Sequence, residues 1–237
     1  MAVIVVTGTG TEIGKTVVTA AVAAAALAAG RSVAVLKPAQ TGVLPGEDGD
    51  VDVVARLAGD VTRAELARFP DPLAPATAAR RAGLPPVRPR QVAEAAAELA
   101  ARHDLVLVEG AGGLLVRLDD SGATLADVAV ELAAPVLVVA PAALGTLNMT
   151  ALTAEALRAR DLTQLGVVVG SWPGEPDLAA RCNLADLPEA AGAPLLGVVP
   201  EGAGALTPVE FRGRATAWLA PGLGGRWDAE AFTAAVG

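Results

Sequence analysis

The chain has 237 residues, of which 53% are hydrophobic and 3% aromatic, so alanine, valine and leucine must build its core. A formal net charge of −8 excludes the positive field that would gather nucleic acid or an anionic membrane, and we expect neither as a partner. Cys182 is the one cysteine and His103 the one histidine, which excludes an internal disulfide and makes a metal cluster of cysteine and histidine implausible.

Six short apolar runs alternate with alanine-rich segments that are typical of helices. The runs are apolar throughout, which is typical of strands buried on both faces of a parallel sheet. The sequence therefore predicts an α/β fold with a single doubly wound, mostly parallel sheet and helices on both faces, in one domain over residues 1–237. The predicted strands are residues 3–6, 33–36, 105–108, 136–139, 167–169 and 195–199.

The chain shows no sign of a targeting or membrane segment. Its first residues enter the first predicted strand without a basic segment, so we expect no signal peptide. Residues 17–29 are apolar but fewer than the roughly 20 that a membrane span needs. We expect a soluble cytoplasmic protein.

The loop after the first predicted strand has the composition of a phosphate-binding loop. It reads Gly8-Thr9-Gly10-Thr11-Glu12-Ile13-Gly14-Lys15-Thr16 and opens an alanine-rich helix. Its glycines let successive backbone N–H groups point at phosphate oxygens, Lys15 would reach the β and γ phosphates, and the Thr16 hydroxyl would bind magnesium. Thr9 stands where the strict loop pattern has its first glycine. Ile13 stands where a dinucleotide-binding loop needs its third glycine, which excludes that type of site.

Lysine is used at two positions of the chain, Lys15 and Lys37, beside sixteen arginines. Lys37 follows the second predicted strand and opens Lys37-Pro38-Ala39-Gln40-Thr41-Gly42. A compact ammonium at these two positions indicates tasks for which a planar guanidinium has the wrong shape. We interpret both lysines as phosphate-handling residues.

Acidic residues that could complete a magnesium nucleotide site occur at two places. Glu109 follows residues 105–108 and precedes a glycine-rich turn, and carboxylate oxygen is a ligand that magnesium prefers. A second acid is expected within residues 47–52, where Asp50 is the first candidate and the assignment could shift to Asp48 or Asp52. The alternatives are a strand-end acid that faces water and a solvated acidic turn.

Five motifs together resemble the dethiobiotin synthetase family of P-loop NTPases. They are Thr11-Glu12-Ile13-Gly14-Lys15-Thr16, Lys37-Pro38-x-x-Thr41-Gly42, Glu109-Gly110-Ala111-Gly112-Gly113, Gly145-Thr146-Leu147-Asn148 and Leu196-Gly197-x-x-Pro200. The resemblance implies catalytic roles for Lys37, Lys15 and Thr11, and magnesium ligation by Thr16, Asp50 and Glu109. It implies nucleotide binding by Glu12, Ile13, Gly14, Lys15, Thr16, Val17, Glu109, Gly112, Gly170, Pro200 and Gly202. It implies substrate binding by Thr41, Lys37, Gly145, Thr146, Leu147 and Asn148, with Pro72-Leu73-Ala74-Pro75 as a wall of that site.

The activity implied by the resemblance is that of a cyclo-ligase of biotin biosynthesis. It joins CO2, supplied as bicarbonate, to 7,8-diaminopelargonate with ATP and Mg²⁺, and it gives dethiobiotin, ADP and phosphate. One amine forms a carbamate, the γ-phosphoryl group is transferred to give a carbamic-phosphoric anhydride, and the second amine closes a ureido ring. The resemblance also implies a homodimer with the active site at the interface.

The sequence departs from the family pattern at two places. Met149 stands where the family has a histidine, and Gly170-Ser171-Trp172-Pro173 replaces a segment with an adenine-reading asparagine, which leaves the base preference open.

Two other functions compete with the synthetase. A partitioning or site-selection switch ATPase would have a second loop lysine, where this chain has Gly10, and a basic or amphipathic surface. A cobyrinate-type amidotransferase would need a glutaminase domain, for which the chain is too short. The synthetase is therefore the favoured function and the switch the alternative.

Overall fold

A computed structural model describes residues 2–236 of the chain. Its seven strands form one parallel sheet in the order β3-β2-β4-β1-β5-β6-β7. The strands are β1 Ala2–Gly8, β2 Val33–Thr41, β3 Thr62–Phe69, β4 Leu105–Gly113, β5 Val136–Ala140, β6 Gln164–Trp172 and β7 Leu195–Pro200. The predicted doubly wound α/β fold is confirmed.

Helices cover both faces of the sheet. They are α1 Lys15–Ala28, α2 Asp50–Ala58, α3 Pro75–Ala82, α4 Pro89–Ala100, α5 Leu125–Leu132, α6 Thr146–Arg158, α7 Leu178–Ala191, α8 Pro208–Ala215 and α9 Ala229–Val236. In residues 2–236 no helix combines the length and the apolar character that crossing a membrane requires.

The core lies in two layers, one on each face of the sheet. Successive residues of β1 show the division, since Val5 packs in one layer and Val6 in the other. Helices α1, α2 and α8 close the Val6 layer, whereas α3 to α7 close the Val5 layer. Because both faces are covered, the five central strands and the edge strand β7 each contain a run of apolar residues, which is the pattern that made these six strands predictable.

The edge strand β3 was not predicted. Its sequence, Thr-Arg-Ala-Glu-Leu-Ala-Arg-Phe, is rich in residues that favour helices, and most of its side chains are at least partly exposed. Pairing with β2 along seven registered positions makes it a strand. The local preference is thus overridden by tertiary pairing. The segment from Phe69 to Pro89, expected as a long connection, also contains helix α3.

Strands β2 and β4 extend beyond their predicted ends and place two key side chains inside the sheet. The β2–β4 register ends at Leu36 and Val108, one residue before Lys37 and Glu109. Pro38 has no N–H to donate to a neighbouring strand, and it lies beyond the last registered pair of β2 with β4. Lys37 and Glu109 therefore lie side by side on neighbouring strands, next to the loop that follows β1.

Candidate active site

The loop between β1 and α1 has the curled backbone expected of a phosphate loop. Gly14 adopts φ 91°, and a Cβ on it would lie 2.2 Å from the carbonyl oxygen of Gly170 in β6. Only glycine fits there, because both the left-handed conformation and the close approach exclude a side chain. Glu12 is also left-handed, with φ 57°. The loop therefore turns its backbone around the start of α1, as a phosphate site requires.

Lys15 lies over its own loop. Its ammonium donates a hydrogen bond to the Gly10 carbonyl oxygen over 2.8 Å, and the side chain is 8% exposed. Burial lowers the pKa of Lys15, and the nearby positive charge of Lys37 lowers it further. No carboxylate pairs directly with Lys15 in the described structure. An anion beside Lys15 would therefore relieve an unfavourable environment, as a nucleotide phosphate does.

A buried cluster joins four of the predicted residues. Oε1 of Glu109 accepts hydrogen bonds from the Thr16 hydroxyl and from the Lys37 ammonium, each over 2.9 Å. Lys37 also donates to the Gly110 carbonyl oxygen over 3.1 Å and forms an ion pair with Asp50. Burial by itself lowers the pKa of Lys37, but Glu109 and Asp50 outweigh it, so that the pKa is raised and the ammonium stays charged. The alternative in which Glu109 faces water is wrong, since this residue is 1% exposed.

Asp50 is the acid of residues 47–52 that reaches the cluster. It is the first residue of α2 and contacts Lys37. Asp52 turns away, because its carboxylate accepts from the Gly49 N–H and pairs with Arg63. Asp48 is exposed. The structure thus favours Asp50 among the three aspartates that the sequence left open.

These residues line a cleft of about 800 Å³ at the carboxyl ends of β1, β2 and β4. Its other walls include Thr41 and the Pro72-Leu73-Ala74-Pro75 turn, both predicted for the substrate. The turn lies close because the Gly42 N–H donates to the carbonyl oxygens of Phe69 and Asp71. Lining residues to which sequence reasoning assigned no role are Gln40, Gly42, Val43, Ala111 and Val116. Gln40, a polar residue inside the Lys37 to Gly42 motif, was the one with a signal that could have revealed it.

Comparisons with known proteins agree with this geometry. A family described as an AAA domain matches residues 2–206. The ATP-dependent dethiobiotin synthetase of Streptomyces avermitilis is 72% identical over 99% of both chains, and that of Saccharopolyspora erythraea is 74% identical over 96% of this chain and all of that one. The chain belongs to the ATP-dependent dethiobiotin synthetase family.

Solved structures outside the dethiobiotin synthetase family share the fold. The septum site-determining protein MinD of Pyrococcus horikoshii, complexed with Mg-ADP, has a TM-score of 0.55 and 20% identity over 98% of this chain and 93% of that one. A ParA family ATPase from Chlorobium tepidum has a TM-score of 0.56 and 14% identity over 89% and 90%. At these identities the likeness concerns the fold alone.

The oxygen atoms of this dethiobiotin synthetase family member fit a magnesium ion. Oε2 of Glu109 is buried without a hydrogen-bond partner, although a buried carboxylate oxygen is costly to leave unpaired. Asp50 and the Thr16 hydroxyl lie within the same cluster around Lys37 and Glu109. Residues 2–236 bring no group of three or more His, Cys, Asp or Glu side chains together for a metal. Two carboxylates and a hydroxyl suit magnesium, which keeps water and phosphate among its ligands.

Eight of the predicted nucleotide-binding residues line the cleft, and three do not. Those in the cleft are Glu12, Ile13, Gly14, Lys15, Thr16, Val17, Glu109 and Gly112, and the predicted catalytic residue Thr11 joins them. Gly170 instead packs behind the loop, where an added Cβ would lie 2.0 Å from the Ile13 carbonyl oxygen. Pro200 and Gly202 flank Glu201, which with Ser171 and Pro173 borders a second cavity of about 330 Å³.

The predicted substrate-binding residues Gly145, Thr146, Leu147 and Asn148 lie outside both cavities. They form the start of α6, with Gly145 as the left-handed N-cap at φ 94°. The Thr146 hydroxyl is buried without a partner, whereas the neighbouring Leu144 is 86% exposed. Within one described chain, then, this predicted anion site is separate from Lys37 and Thr41.

Proposed function

We propose that the protein is a cyclo-ligase that converts 7,8-diaminopelargonate, CO2 and ATP into dethiobiotin, ADP and phosphate in biotin biosynthesis. The observation that carries the proposal is the convergence of Lys15, Lys37, Glu109 and Asp50 on one cleft beside the phosphate loop. Relatives 72% and 74% identical over nearly the whole chain, which are named ATP-dependent dethiobiotin synthetases, support it.

Lys15 and the loop N–H groups hold the β and γ phosphates in this proposal. Thr16, Asp50 and Glu109 hold magnesium, which supplies neutralisation of the phosphate charge when bound. The nucleoside end of ATP lies along the carboxyl ends of β6 and β7, where Gly170 packs behind the loop and Glu201, between Pro200 and Gly202, borders the second cavity. The cleft then binds the phosphates, and the ends of β6 and β7 bind the base.

In this proposal the Lys37 ammonium exchanges its carboxylate partners for the reacting groups. Its ammonium is buried, charged and paired with the same two side chains, Glu109 and Asp50, that are proposed to hold magnesium. The Lys37 ammonium would then donate to a carbamate oxygen and to the γ-phosphoryl group, while Glu109 and Asp50 would be the carboxylates that hold magnesium. A fixed cation at the developing negative charge stabilises the transition state without a proton transfer.

The reaction needs positioning more than a general base. Thr41 and the Pro72 to Pro75 turn hold the diamine with one amine near Lys37. That amine adds to CO2 and loses a proton to give a carbamate, whose oxygen then attacks the γ-phosphorus of ATP and releases ADP. The second amine attacks the carbonyl carbon of the anhydride, phosphate leaves, and the ureido ring closes. Proximity supplies the rate advantage of the last step because both amines belong to one molecule.

Hydrolysis of ATP is expected to depend on the organic substrate. The histidine of the chain, His103, hydrogen-bonds Thr62 and the Leu99 carbonyl, and neither it nor Cys182 lines the cleft. With no imidazole or thiol placed to activate water, phosphoryl transfer should wait for the carbamate. Phosphate release would be followed with ATP alone and after addition of diamine and bicarbonate. Rapid release from ATP alone would favour the switch ATPase instead.

The active site is proposed to be completed across a homodimer interface. The Thr146 N–H at the start of α6 donates to the Ala143 carbonyl oxygen, which leaves the N–H groups of Leu147 and Asn148 and the positive helix end for the carboxylate at the far end of the diamine. Leu144, Met149 and Leu152 expose apolar surface beside it, as an interface requires. The use of this site by the partner subunit's cleft is inferred from the family resemblance.

Mixing two inactive variants should restore activity. Lys37→Ala removes the cleft ammonium, and a double change of Thr146 and Asn148 to proline, in the first turn where helices tolerate proline, removes the Asn148 N–H and the unpartnered Thr146 hydroxyl. A mixed dimer then contains one intact site if the two parts come from different subunits. No recovery after verified subunit exchange would place both parts in a single chain.

A further inference from the structure

The loop that leads into Asp50 lies on the surface. Residues 44–48, between β2 and α2, are exposed, and Gly46 is left-handed with φ 89°. Asp50 opens α2, which Val51 and Val54 anchor in the core, but those contacts do not hold the exposed loop that enters the helix. The contacts of Arg68, on the edge strand β3, provide that support.

Arg68 binds the segment on one side and a carboxylate on the other. Its Nη1 donates to the Glu47 carbonyl oxygen over 2.5 Å and to the Leu44 carbonyl oxygen over 3.2 Å. Its Nε and Nη2 donate to the two carboxylate oxygens of Glu65 over 2.7 and 2.9 Å. This two-pronged pair fixes the plane of the guanidinium, which an ammonium would leave free to turn.

Two further contacts carry this support to Asp50. A Cβ on Gly49, the residue before Asp50, would lie 2.9 Å from Nη2 of Arg68 and 3.1 Å from Oε1 of Gln40. The same Gln40 oxygen accepts a hydrogen bond from the Asp50 N–H over 2.9 Å. Arg68 and Gln40 thus enclose the backbone at Gly49 and Asp50, and the Asp50 carboxylate projects from there towards Lys37.

We infer that Arg68, oriented by Glu65, is a positioning residue for the metal ligand Asp50. This inference rests on the proposed function, in which Asp50 holds magnesium. Partners that orient metal ligands change metal affinity about 10- to 100-fold when removed. Arg63, on the same strand, is 55% exposed and pairs with Asp52, to which Arg68 also lies within 3.9 Å. Arg63 donates no hydrogen bond to residues 44–48 in the described structure, so it is a matched control for the contact with Asp52.

The test measures Mn²⁺ binding to the ADP complex by the electron paramagnetic resonance signal of free Mn²⁺. Arg68→Met is expected to weaken binding about tenfold, whereas Arg63→Met should leave it within about twofold of the unaltered protein. In an Asp50→Asn background, Arg68→Met should cause no further loss, because it acts through Asp50. Melting temperatures accompany each variant, and Glu65→Gln serves as the second variant if Arg68→Met does not fold.

The outcomes separate the two levels of the proposal. Unchanged Mn²⁺ affinity in Arg68→Met, or an equal loss with and without Asp50, would overturn the positioning role while the metal site stands. Unchanged affinity in Asp50→Asn alone would overturn the metal assignment itself. Loss in both single variants without further loss in the double variant supports the inference.

Discussion

Replacing Lys37 with arginine should lower turnover about 100- to 1,000-fold, the range seen when one fixed donor to a developing charge is removed. The Lys37 ammonium lies 2.9 Å from Glu109 and 3.1 Å from the Gly110 carbonyl oxygen in a pocket that leaves it 3% exposed. Arginine keeps the charge but spreads it over a wider planar group that does not fit the same position. Single-turnover rates under saturating ATP and diamine would measure the loss.

Lys15→Arg is expected to lose activity in the same way, since its ammonium must leave the Gly10 carbonyl for a phosphate at close range. Arg90→Lys, at an exposed helical ion pair, controls for exchange of the two cations elsewhere. Melting temperatures show whether a variant still folds. Activity near that of the unaltered protein in Lys37→Arg would mean that the use of lysine at the two site positions is coincidental.

Replacing Glu109 with glutamine should shift the magnesium dependence of activity to at least about tenfold higher concentration, because removing the charge of a proposed ligand should cost no less than losing a residue that orients a ligand. The two carboxylate oxygens of Glu109 have different environments. Oε1 accepts hydrogen bonds from Thr16 and Lys37, whereas Oε2 is buried without a partner. Titration of turnover against magnesium at fixed ATP would show the shift. Asp119→Asn removes another buried carboxylate, one that holds a turn at Ser121 away from the cleft, and should leave the titration unchanged.

Stability changes need to be measured with Glu109→Gln because this side chain is also part of the structure. It is a partner of the buried Lys37 ammonium, although Asp50 and the Gly110 carbonyl oxygen remain to share that charge. We expect the magnesium shift to exceed what a lowered melting temperature explains. An unshifted titration curve would leave Glu109 with the structural role only.

The features that could be predicted from the sequence are those in which a local requirement restricts the residue type. Strands covered on both faces contain runs of apolar residues, so six of the seven strands were found. The family resemblance assigned Lys37 and Glu109 to one active site. Gly14 is required by the left-handed conformation of the loop backbone. These requirements are visible in the sequence because they are local.

The remaining features depend on contacts between distant segments. Strand β3 is set by pairing with β2 against its own helical preference. Asp50 could not be separated from Asp48 and Asp52, since its position depends on Arg68 and Gln40, which lie on other elements. The role of residues 145–148 involves a second subunit, and it stays a prediction, as does the single domain over residues 1–237.

The most direct test of the proposed function is the product formed from diamine, isotopically labelled bicarbonate and magnesium ATP, analysed by mass spectrometry. The proposed function predicts a product whose mass is that of the diamine plus one labelled CO2 minus one water. This product should form in an amount equal to that of ADP. Release of ADP without a labelled ureido product would contradict it.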